Sequence, residues 1–72
     1  MQKDEISRVE TYLRNKFRLD TLRLEPRPKK DDSVEVMIGD EFIGVLFRDE
    51  DEGELSYQFQ MCILDIDLDE NF

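Results

Sequence analysis

Seventy-two residues with a net charge of −9 and one cysteine narrow what this chain can be. That length makes a single domain, whose thin core buries only about 60% of the surface that the unfolded chain exposes. The overall charge repels nucleic acid and anionic membranes, Cys62 has no intrachain disulfide partner, and no apolar run is long enough to span a bilayer.

The charge is unevenly placed. Residues 1–30 hold nine Lys/Arg and five acids, a net of +4. Residues 31–72 hold only Arg48 against fourteen acids, a net of −13, and the two halves sum to −9. A lone cysteine fits a reducing compartment, and the charged start MQKDEISRVE does not read as a secretory leader. The expected setting is a soluble, cytoplasmic protein with no membrane association.

Residues 4–17 predict an amphipathic helix. Ile6, Val9, Leu13 and Phe17 recur at spacings of three and four, with Asp4 placed to cap the start. Acids at the first turn and Arg14, Lys16 and Arg18 at the last suit the helix dipole. A first strand is predicted over about 20–25, with Leu22 and Leu24 on one side. Pro26 and Pro28 then predict a loop through Asp32, because proline cannot donate to a ladder.

The next stretch predicts three strands, over about 33–38, 41–48 and 54–64. Val34, Val36 and Ile38 alternate with polar residues, and Gly39-Asp40 reads as a tight hairpin turn. The middle strand is apolar on both faces, with Ile43, Val45 and Phe47 on one and Phe42, Gly44 and Leu46 on the other. Leu55, Tyr57, Phe59, Met61 and Ile63 keep strict period two, which marks a half-buried strand. The alternation slips near Leu64, where a bulge or bend is expected before an acidic tail over 65–72. The predicted architecture is α+β: an N-terminal helix packed on a four-stranded antiparallel sheet, a two-layer sandwich built on a β-meander.

Little in the chain suggests catalysis. There is no histidine, the three glycines are scattered, and Cys62 has no base beside it. Asp65, Asp67, Asp69 and Glu70 alternate as in a strand, but without the glycine and distant glutamate of a calcium loop, so a solvated tail is expected. No metal, no cofactor and no small-molecule substrate are expected. Arg14, Arg18, Arg27, Lys29 and Lys30 compose a candidate basic patch for phosphate or nucleic acid, against a bland reading as solvated loop.

The stronger signal is an apolar surplus. One helix covers one side of a sheet, and the sequence leaves open which apolar set it covers; Met37, Phe42, Leu46, Cys62 and Leu64 are the candidate interface residues on the other side.

The runs PRPKKDDS over 26–33, IGDEFIGVLFRD over 38–49, LSY over 55–57 and ILDIDL over 63–68 resemble a small alphaproteobacterial family of uncharacterised proteins. The resemblance spans nearly the whole chain. It implies a bacterial single-domain protein of this length and assigns no activity. The expectation is a non-enzymatic module that self-associates or docks a protein partner. The alternative is nucleic-acid or phosphate contact through the basic helix end and the Pro/Lys loop.

Overall fold

The computed structural model describes residues 1–69. Helix α1 (Lys3–Phe17) precedes strands β1 (Leu22–Arg27), β2 (Lys30–Ile38), β3 (Glu41–Asp49) and β4 (Ser56–Gln60), and a short helix α2 (Asp65–Asp69) closes the order. The strands pair in chain order as an open antiparallel sheet. This is the α+β helix-and-meander predicted from the pattern, with α2 added where an acidic tail was expected. Glu70 and the rest of that tail lie outside the described residues.

The cap of α1 is Gln2, two residues before Asp4, and the Glu5 carboxylate reaches back to accept from the Gln2 N–H at 3.2 Å. The reciprocal contact satisfies donors that a first helical turn leaves free. At the other end Arg18 takes a left-handed conformation, φ 54°, and donates its N–H to the Arg14 carbonyl.

The two prolines do not make a long loop. Pro26 lies inside β1 opposite Val34, and the register shifts directly after it. β1 is an edge strand, where a missing ladder donor is tolerated. The turn therefore shrinks to Pro28 and Lys29, and β2 starts at Lys30, three residues earlier than predicted. Gly39, at φ 59°, makes the next turn in the left-handed region, which glycine enters at little cost.

The helix crosses the sheet diagonally. Near its start, Glu5 meets Arg48 on β3 and Tyr57 on β4. Further along, Glu10 accepts from the Leu24 N–H at 2.9 Å, and Arg14 donates to the Leu22 carbonyl at 2.6 Å. Beneath this path lie the buried residues Leu13, Leu22, Leu24, Val34, Val36 and Leu46, with Ile6, Val9 and Phe59 packed around them. Burial of each such aliphatic side chain contributes roughly 1.5–3 kcal/mol.

Leu46 was expected on the uncovered face and is instead core, 2% exposed. It pairs with Phe59, and Arg48 pairs with Tyr57, so those four share the helix side. Val45 and Phe47 pair with Gln60 and Gln58 on the other side. β3 is apolar both ways, so its own alternation gives no basis for choosing. A bulge then slips the register: Val36 faces Gly44 and Met37 faces Phe42, which leaves Ile43 between them. Phe42 thereby shares the uncovered side with Met37.

β4 is shorter than its pattern, ending at Gln60 instead of running to 64. Gly44 lies against that end. A side-chain carbon there would come within 2.3 Å of the Gln60 carbonyl oxygen and 2.7 Å of the Phe59 ring. The Phe59 ring occupies the space over Gly44, and the chain leaves the sheet immediately afterwards. We therefore expect Gly44→Ala to destabilise the fold by about 1–3 kcal/mol through overpacking against backbone. Urea denaturation would read it as a lower midpoint at unchanged slope; an unchanged midpoint would show that the end of β4 yields freely.

Candidate functional site

Because α1 runs from the β3–β4 side at one end to β1 at the other, one corner of the sheet has no helix over it. That corner is the start of β3 and the end of β4. The β3–β4 ladder stops at Val45 and Gln60, so Glu41–Gly44 have no partner on their β4 side among the described residues. The segment after Gln60 swings outward, and α2 makes no close contact with any other element. The molecule is accordingly long, 43 × 24 × 24 Å, with a radius of gyration of 13.3 Å. A compact chain of this length would have about 11 Å.

Between β3 and the departing segment lies an open groove of about 1180 Å³. Its β3 wall holds Phe42, Ile43, Val45 and Phe47, and its other wall holds Met61, Cys62, Ile63, Leu64 and Leu68. Phe42, Ile63, Leu64 and Leu68 are all more than half exposed. Among the described residues, the charged ones that line it are acids, Glu41 and Asp67. Asp67 accepts from the Leu64 N–H at 2.9 Å and so braces the turn into α2.

The five predicted interface residues therefore separate. Phe42, Cys62 and Leu64 line the groove, Met37 sits across the ladder from Phe42, and Leu46 is under the helix. Ile63 and Leu68 were missed. Ile63 reads as the end of the fourth strand's alternation and Leu68 as part of an acidic tail, whereas β4 stops at Gln60 and the chain from 65 to 69 coils into α2. Cys62 is an exposed free thiol.

The basic residues do not converge. Arg14 spends its Nε on the Leu22 carbonyl and lies 3.5 Å from Glu10. Arg27 donates to the Ser33 hydroxyl at 3.1 Å. Arg14 and Arg18 flank the start of β1, whereas Arg27, Lys29 and Lys30 flank its end. Strand rise separates the two groups by about 17 Å. Among the described residues no cluster of His, Cys, Asp and Glu is arranged to hold a metal ion, and no helix is long and apolar enough to cross a membrane.

The densest polar contact is on the helix side. Glu5 accepts from Arg48 Nε at 2.7 Å and from the Tyr57 hydroxyl, while Arg48 also pairs with Glu50. The Tyr57 hydrogen bond is the main reason that the Glu5 carboxyl titrates below its ordinary range, with Arg48 adding to it against the cost of burial. The same hydrogen bond, with burial, pushes the Tyr57 phenol up. This cluster ties the first turn of α1 to the two far strands.

A family model described as protein of unknown function (DUF3126) matches residues 5–67, from the first turn of α1 into α2. No curated protein and no solved structure matches the chain.

The Glu5 cluster gives a pH signature. A carboxyl held low in the native state adds stability that is complete above its unfolded pKa and lost as pH falls through its native one. Glu5→Gln should cost about 1 kcal/mol at neutral pH and flatten the acid limb of the stability curve. Parallel acid limbs for the two proteins in thermal unfolding across pH would refute this.

Proposed function

The chain belongs to the DUF3126 family, and we propose that it is a non-enzymatic protein-interaction module whose groove receives another polypeptide. The observation that carries this reading is the apolar groove itself. Its walls expose five large side chains, Phe42, Met61, Ile63, Leu64 and Leu68, on a domain that buries six hydrophobic residues among those described. Small soluble domains rarely leave such a surface bare unless something covers it.

Support for catalysis is thin by comparison. Histidine is missing from the chain, and the polar cluster at Glu5 is spent on its own fold. Nucleic-acid or phosphate contact also draws less support, because the basic residues divide between the two ends of β1 and two of them are engaged internally. A cytoplasmic setting in a bacterium, alphaproteobacterial by the resemblance of its motifs, completes the proposal. The lone thiol is consistent with that setting.

A photo-crosslinking residue placed at Ile63 tests the proposal in cells that express the protein. Adducts are expected from position 63 and not from a matched probe at Tyr12, which is equally exposed but lies on the helix. Absence of any polypeptide adduct at position 63 would remove the basis for an interaction role.

A further inference from the structure

We infer that the groove takes a cationic amphipathic helix of a second protein, not another copy of this chain. The inference rests on the interaction reading above and names the occupant by its charge and shape.

Charge comes first. No Lys or Arg occurs after Arg48 in the sequence, while residues 49–69 carry eight acids. Arg48 itself is held by Glu5 and Glu50. The groove therefore has an acidic rim, Glu41 on one wall and Asp67 on the other, with Asp65 and Asp69 on the same short helix. Two copies docked groove to groove would bring these carboxylates within the roughly 8 Å over which charges act at physiological salt. Exchange of the segment after Gln60 between copies would carry three aspartates into the same field. Lysines or arginines flanking an apolar stripe would be drawn to it.

The helix of a second copy does not supply that stripe. Ile6, Val9 and Leu13 of α1 already pack on their own sheet. Its exposed aromatics, Tyr12 and Phe17, are five residues apart and so about 140° around the helix axis.

Shape decides between helix and strand. Addition of a strand would use the free edge of Glu41–Gly44, but the bulge at Ile43 breaks the regularity of those four residues. Too little ladder remains to hold a strand. Burial of large side chains between two apolar walls is the mode by which an amphipathic helix enters a groove.

Titration of the full chain with three synthetic peptides tests this. The first is a Leu/Lys peptide with leucines at helical spacing, the second its Leu/Glu counterpart, and the third the Leu/Lys composition reordered to abolish the stripe. Fluorescence anisotropy should show binding of the first that weakens with salt, and binding of the other two weaker by about tenfold or more. Ile63→Ser and Leu68→Ser remove side chains that are 62% and 57% exposed, so circular dichroism should be unchanged. Each should weaken the Leu/Lys peptide about tenfold, as loss of one buried aliphatic contact implies, and Tyr12→Ser should not. Equal binding of the reordered peptide, or indifference to Ile63→Ser, would overturn the inference. So would a dimer in sedimentation equilibrium that Ile63→Ser disperses, since the occupant would then be a second copy. A crosslinked partner at position 63 combined with any of these results leaves the interaction role standing and removes only the cationic helix.

Discussion

Two side chains of α1 decide how the rest of the molecule is laid out. Glu10 takes the N–H of Leu24 and Arg14 gives to the carbonyl of Leu22, both groups on the edge strand β1. An edge strand presents unpaired backbone groups, which natural sheets must satisfy or disguise. Here the helix satisfies them directly, and in doing so its second half is pinned to one side of the sheet. Its first turn is pinned to the other side by Glu5, Arg48 and Tyr57. A straight helix held at those two places must cross obliquely, and an oblique helix covers two corners of a four-stranded sheet and leaves the others bare. The groove itself lies against Phe42, Val45 and Phe47, on the face of β3 turned away from α1, which one helix cannot reach.

Much of this fold was legible in the sequence. Ile6, Val9 and Leu13 mark the helix by spacing alone, and Gly39-Asp40 marks the hairpin. Pro26 misled because the rule against proline in strands concerns ladder donors, and an edge strand can do without one. Leu46 misled for a different reason. Both faces of β3 are apolar, so the covered face is chosen by pairing with β4, a relation between strands that the residues of one strand do not contain. Phe42, Cys62 and Leu64 were legible as surplus apolar residues. Ile63 and Leu68 were not: Ile63 continues the period-two pattern of β4 and Leu68 falls in the acidic tail, and a strand pattern becomes a strand only where a neighbour offers a ladder.

The split of charge acquires a structural meaning. The excess of basic residues falls on α1 and β1, where several of them serve internal hydrogen bonds and ion pairs. The acids after Arg48 fall on the β3–β4 turn and on the segment beyond β4, and no Lys or Arg follows Arg48 in the sequence. Net charge of this kind keeps a small domain with exposed apolar walls soluble, since like-charged copies resist association. The same field that discourages self-contact attracts an oppositely charged visitor.

The body ends its ladder at Gln60, and the segment beyond it hangs from a single backbone connection. The buried core lies beneath α1, whereas Met61, Ile63, Leu64, Ile66 and Leu68 beyond Gln60 are all more than half exposed. A change of side chain in that last stretch therefore disturbs little packing, while one beneath the helix meets neighbours on every side.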